Sequence, residues 1–187
     1  MKKIAVMLAE GFEEIEALTV VDVLRRANVE CDMVSIDGKE VLGSHDILVK
    51  ADKTIDEAEL NSYDGLVLPG GMPGANNLKN NIRVVELIKE YAAVGKIVAA
   101  ICAAPIVLEK AGIISGKKIT SYPSFDIHLG NCIYSEDLVV RDGSIITSRG
   151  PATALAFSFE ILKALELNDE VDELMEGMIY NKLMQIN

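Results

Sequence analysis

Cysteine is scarce in this chain: Cys31, Cys102 and Cys132 are its only three. An odd, sparse set with no export signal argues against a disulfide framework. No CxxC pair or histidine-rich cluster is present, which leaves a structural zinc site without support. Histidine is scarcer still. His45 and His128 form no obvious catalytic pair, and each reads as a surface residue. Positive charge is also short: 18 Lys and Arg stand against 29 Asp and Glu, for a formal net charge of -11. A surface of that sign repels phosphate backbones and anionic lipid, so neither nucleic acid nor a membrane is an expected partner. Long apolar runs are missing. The longest, residues 97–108, contains Pro105 and falls far short of a bilayer span. Near the start, Ile4 to Ala9 follows two lysines, but Glu10 ends the run too early for a signal peptide. A cytoplasmic location is expected.

What is present reads as one α/β domain over residues 1–187. The length suits a single sizeable core, and 50% apolar with 25% charged residues is ordinary globular composition. No repeat, low-complexity tract or composition shift marks a boundary. Strands and helices alternate. Ile4–Ala9 reads as a buried strand, Glu13–Ala27 as a helix, and Cys31–Ile36 as a strand ending at Asp37-Gly38. Val41–Ala51 suits a small hairpin. Leu66–Leu68 is a core strand stopped by Pro69-Gly70-Gly71, and Ile82, Val85, Ile88 and Ala92 keep a helical spacing. Ile97–Ile101 is a further buried strand leading to a helix. Lys118–Thr120 and Ile145–Thr147 look like later strands. Two helices follow, one carrying Leu155, Phe159 and Leu162, the other Val171, Leu174, Met175 and Met178. Such alternation implies a mostly parallel sheet covered by helices on both faces, with ligands at the carboxyl ends of strands. Chemistry is therefore expected at four turns: Ala9-Glu10-Gly11, Pro69-Gly70-Gly71, Ile101-Cys102 and Ser148-Arg149-Gly150.

The stretch Ile97 to Pro105 is the most informative. A nucleophile elbow needs a sharp strand-to-helix turn with small residues two places either side of the nucleophile. Ala100 and Ala104 satisfy this around Cys102, and Pro105 suits the first helical turn, where no N–H is needed. A thiol at a helix N-terminus is expected to have a lowered pKa. The plainer alternative is a buried apolar cysteine. Cys31, opening a strand, and Cys132, in a loop-like stretch, lack this context. Gly70 and Gly71 would let main-chain N–H groups approach a bound oxygen, as an oxyanion site requires; the alternative is a simple turn. The same segment lacks the Lys and Ser/Thr of a phosphate-binding loop. Glu13 and Glu14 suit the first turn of a helix. Glu16 shares a face with Thr19, Val20 and Val23, which implies burial and a raised pKa. A protonated Glu16 could hydrogen-bond a thiolate and later act as a general acid or base. Its alternative is a solvated helix glutamate.

At these residues the sequence resembles the ThiJ/PfpI family, in the branch of the Parkinson-disease-associated protein deglycase and its bacterial counterparts. The motifs are Glu13-Glu14-Ile15-Glu16, Val21 to Arg26, Tyr63 to Gly71 ending LPGG, AAICAAP over Ala99–Pro105, and Ser148-Arg149-Gly150-Pro151. The resemblance runs nearly the whole chain. It implies a flavodoxin-like three-layer sandwich, a homodimer, no cofactor or metal, and activities that include glyoxalase and deglycase chemistry on reactive dicarbonyls or glycated adducts, redox sensing and chaperoning. Cys102 falls at the family's reactive cysteine and Glu16 at its protonated glutamate. Gly71 and Ala103 fall at its oxyanion N–H groups, with Gly70 beside them. Two departures stand out. The family's common histidine falls at Tyr122, which cannot act as a neutral-pH base as histidine does. An anion-contacting arginine of the branch falls at His45. The protease-like branch has histidine directly after the cysteine, where this chain has Ala103, so peptidase activity is not expected. Tyr122, Arg149 and His45 are expected as further neighbours of the site.

Overall fold

The computed structural model describes residues 1–185. The elements run β1 (Lys3–Leu8), α1 (Glu14–Arg26), β2 (Glu30–Ser35), β3 (Glu40–Leu42), β4 (Leu48–Lys50), β5 (Lys53–Thr54), β6 (Gly65–Leu68), α2 (Gly74–Asn80) and α3 (Ile82–Ala93). They continue with β7 (Ile97–Ile101), α4 (Pro105–Ala111), β8 (Lys118–Ile119), β9 (Ile133–Tyr134), β10 (Val139–Asp142), β11 (Ile145–Ser148), α5 (Ala154–Ala164), α6 (Asn168–Gly177) and α7 (Tyr180–Leu183).

Seven strands form the central sheet in the order β10-β11-β7-β6-β1-β2-β5. All its pairings are parallel except that of β10 with β11. Alternation along each strand sorts the side chains by face. Ala5, Met7, Leu66, Leu68, Val98 and Ala100 pack toward α2, α3 and α4 through Leu78, Ile88 and Val107. Ile4, Val6, Leu8, Val67, Ala99 and Ile101 pack toward α1 and α5 through Val20, Leu24, Phe157 and Ile161. Sandwiched strands lose water from both faces, which is why β1, β6 and β7 read as near-continuous apolar runs. Each such Leu, Ile or Val contributes about 2 kcal/mol on burial. This is the expected flavodoxin-like three-layer arrangement.

Three features differ from the sequence reading. Helix α2 fills the segment after Pro73, where Gly74 and three asparagines hide a helical pattern. Strand β10 adds an antiparallel edge. Lys118 and Ile119 leave the main sheet and pair with Ile133 and Tyr134 in a separate two-stranded piece. Its short apolar content gave no clue to which sheet it would join. Among the described residues, no helix is long and apolar enough to cross a membrane.

The four turns singled out above end β1, β6, β7 and β11, which are neighbours in the sheet. The topology therefore gathers them along one edge.

Candidate active site

Cys102 follows the last residue of β7 and adopts a left-handed backbone, φ 63. That conformation crowds Cβ against the chain and costs a non-glycine residue about 1 kcal/mol. The surroundings hold it there. Its N–H donates to the Ser148 carbonyl at 2.9 Å, and its own carbonyl accepts from the Tyr122 N–H at 2.9 Å. Ala100, Ala103 and Ala104 are buried beside it, and Pro105 opens α4. The result is the sharp strand-to-helix elbow that the small flanking residues imply.

Glu16 lies on the inner face of α1 and is fully buried. Its Oε2 accepts a 2.7 Å hydrogen bond from the Gly70 N–H. Its Oε1 is buried with no hydrogen bond of standard geometry, so its relation to the neighbouring Cys102 thiol is one of close approach. Burial pushes the Glu16 carboxyl up to about 7; the Gly70 N–H and the Cys102 thiol pull it down, and the Glu13 charge adds to the rise. Close packing of the two residues depends on Gly70. A Cβ there would lie 2.8 Å from both Cys102 Cβ and Glu16 Oε2.

The expected acidity of Cys102 is not what the structure supports. Burial raises its pKa first, and the Glu16 carboxylate raises it further. The N–H groups of Ala103 and Gly71 face the sulfur and act in the opposite direction, but they are outweighed. A helix N-terminus stabilises a thiolate only weakly when a carboxylate competes for the same negative charge. The two groups form a coupled pair that readily gives up one proton and strongly resists losing a second.

Gly71 adopts φ 82, and a Cβ on it would meet the Glu13 nitrogen at 2.4 Å. Tyr122, whose N–H meets the Cys102 carbonyl, is half-exposed, with its ring beside Gly150. Arg149 continues β11 beside the elbow, and its buried Nη1 has no hydrogen-bond partner. Cys31 is buried, with its thiol pushed up to about 12 by burial. Cys132 is half-buried, and burial raises its pKa as well. A surface cleft of about 660 Å³ lined by Ala58, Leu60, Arg83 and Glu90, among others, contains none of the site residues.

One cluster joins residues that no local pattern connects. His45 is solvent-exposed as expected, yet its ring Nδ1 lies 2.9 Å from Glu14 Oε2 and 3.5 Å from Glu13 Oε2. Its main-chain N–H donates to Glu14 Oε1 at 2.7 Å, and the Ser44 hydroxyl lies 3.2 Å from both carboxylates. Burial opposes the Glu14 charge, but the His45 ring and N–H outweigh it and lower its pKa to about 2. The three acid and imidazole groups bring one atom each within 4.8 Å of one another. Hydrogen bonds occupy the space between them, so the group reads as an ion-pair cluster. Glu14 and His45 are 31 residues apart, beyond the reach of any local pattern.

Comparison with known proteins agrees with this architecture. A curated relative, protein dj-1beta of Drosophila melanogaster, is 39% identical over 181 residues, covering 95% of this chain and 97% of the relative. The Parkinson disease protein 7 homolog of Danio rerio is 37% identical over 169 residues, covering 88% of this chain and 89% of its own length. The crystal structure of Drosophila DJ-1beta superposes with a TM-score of 0.91 at 40% identity, over 95% of this chain and 97% of that one. Oxidized Toxoplasma gondii DJ-1 gives 0.91 at 35% identity, over 96% of this chain and 98% of that one. The sequence profile of the DJ-1/PfpI family matches residues 2–164, and the chain belongs to that family.

Proposed function

We propose that this protein is a cofactor-independent enzyme acting on reactive dicarbonyls or their adducts, with Cys102 as nucleophile and Glu16 as its proton-transfer partner. The observation that carries this reading is the buried Glu16 carboxyl against the Cys102 thiol, with the Ala103 and Gly71 N–H groups turned to the sulfur.

The chemistry follows from the coupled pair. Near neutral pH, Glu16 can exist as a carboxylate and accept the thiol proton as sulfur attacks an aldehyde carbon of a 2-oxoaldehyde. The C–S bond forms, the carbonyl electron pair moves to oxygen, and the N–H groups of Gly71 and Ala103 stabilise that charge. Glu16 returns the thiol proton to that oxygen, giving the hemithioacetal. Again a carboxylate, it carries the hydrogen of the former aldehyde carbon, as a proton, to the neighbouring carbon through an enediol, while the hydroxyl proton passes to the second oxygen. The product is a thioester of a 2-hydroxy acid. Water cleaves the C–S bond, releases the hydroxy acid and restores the thiol. The sum adds one water to one dicarbonyl, with no external oxidant or reductant. The raised thiol pKa fits this order of events, because sulfur is deprotonated as it reacts rather than beforehand.

The test measures loss of methylglyoxal with purified protein and with Cys102→Ser. The mutant is expected to lose turnover to background; equal rates would reject the mechanism.

A second reading is favoured by Tyr122 at the position where the family commonly has histidine. Cys102 would then act as an oxidative-stress sensor or in chaperoning. Two equivalents of peroxide would convert the thiol to a sulfinic acid and release two waters, with protonated Glu16 hydrogen-bonding the product. Mass spectrometry after mild peroxide should place the added oxygens on Cys102, and preferential oxidation of Cys31 or Cys132 would count against it.

A further inference from the structure

We infer that His45 is a positioning residue that sets the charge state in which the Cys102–Glu16 pair works, acting through Glu13 and Gly70. This rests on the reading of the pair given above.

The path is continuous. His45 Nδ1 stands 3.5 Å from Glu13 Oε2 and 2.9 Å from Glu14 Oε2. The Glu13 N–H donates to the Gly70 carbonyl at 3.0 Å, and the Gly70 N–H donates to Glu16 Oε2 at 2.7 Å. Glycine at 70 thus ties the cluster at the start of α1 to the carboxyl beside the sulfur. Glu13 and Glu14 are both buried, and His45 is the only cationic side chain bridged to either among the described residues.

The charges facing these groups define the sign. His45 faces Glu13, which precedes α1, Glu14 in its first turn, and Asp46 from its own turn; Glu16 faces Glu13 and Cys102. The Glu13 carboxylate opposes further negative charge on the Cys102–Glu16 pair. A protonated His45 cancels part of that field. As pH rises and His45 loses its proton, Glu13 is left uncompensated and the pair holds its remaining protons more tightly. The contacts with Glu14, and then the Glu13 and Glu14 charges, keep His45 protonated to higher pH than a free imidazole. An arginine here, as the family branch carries, would supply the same charge without the pH dependence.

The experiment is a pH profile of iodoacetamide alkylation at Cys102, read by mass spectrometry on the full chain. It compares wild type, His45→Gln, His45→Arg and Glu13→Gln, plus the double mutant of His45→Gln with Glu13→Gln, in low salt and in 1 M NaCl. His45→Gln should raise the midpoint by about half a pH unit in low salt. His45→Arg should not raise it. Because His45 is exposed, 1 M salt, with a Debye length of about 3 Å, should collapse the difference. In the Glu13→Gln background the His45→Gln shift should also vanish. Coincident midpoints for wild type and His45→Gln in low salt would overturn the inference. So would a shift that persists both in 1 M salt and without Glu13, since that marks local packing rather than charge. A carboxyl ¹³C titration of Glu16 in the same proteins reads the same shift without requiring a reactive sulfur. An inert Cys102 would therefore end the proposed function while leaving this inference open to its own test.

Discussion

Gly70 donates its N–H to Glu16 Oε2 at 2.7 Å across a separation of 54 residues. At the same time its bare Cα leaves room for Cys102. The residue serves as both hydrogen-bond donor and gap; an added side chain keeps the N–H but closes the gap.

Gly70→Ala therefore tests the contact. The new methyl would sit 2.8 Å from Cys102 Cβ and Glu16 Oε2, and 3.0 Å from the Ala103 nitrogen. Overpacking of this kind costs about 1–3 kcal/mol. Thermal melts should show that loss, and alkylation of Cys102 should change with it. A protein with wild-type stability and wild-type Cys102 reactivity would show that the two residues are not packed as described.

Glu16→Gln should change how stability depends on pH. The folded pKa of Glu16, about 7, lies above its ordinary 4.5. Between those values the unfolded chain has lost the proton and the folded chain keeps it. Stability is thus fully present below pH 4.5, falls as pH rises, and levels off above 7. The full difference amounts to about 3 kcal/mol. Urea unfolding at pH 5 and pH 8 should show wild type losing much of this amount and Glu16→Gln losing little of it. Equal pH slopes in the two proteins would mean that Glu16 titrates normally.

The backbone at Cys102 makes a third prediction. In ordinary strand or helix positions glycine is less stable than alanine by about 0.5–1 kcal/mol. At φ 63 the order should reverse, because only glycine escapes the left-handed penalty. Cys102→Gly is expected to match or exceed Cys102→Ala in chemical denaturation. The usual order, with glycine clearly weaker, would argue against a strained elbow.

Much of this was legible in the chain. The apolar runs at Ile4, Leu66 and Ile97 marked β1, β6 and β7 because strands buried on both faces need no polar alternation. The small residues around Cys102 marked the elbow, and the face shared by Glu16, Val20 and Val23 marked a buried carboxyl. Helix α2 escaped because Gly74 and its asparagines are poor helix formers that tertiary packing overrides. The thiol's raised pKa escaped because it depends first on burial and then on a carboxylate from α1 lying against it, neither of which a local pattern encodes.

Residue order alone was enough for most of the alternation of strands and helices, the turns that end them, the tight turn at Cys102 and the buried helix face of Glu16, since each rests on spacing within a few neighbours. Only the folded chain could decide how those residues share protons, or that His45 joins Glu13 and Glu14. Electrostatic energy depends on distance through space and on how much water has been excluded. Both quantities exist only once the sheet has brought remote segments together.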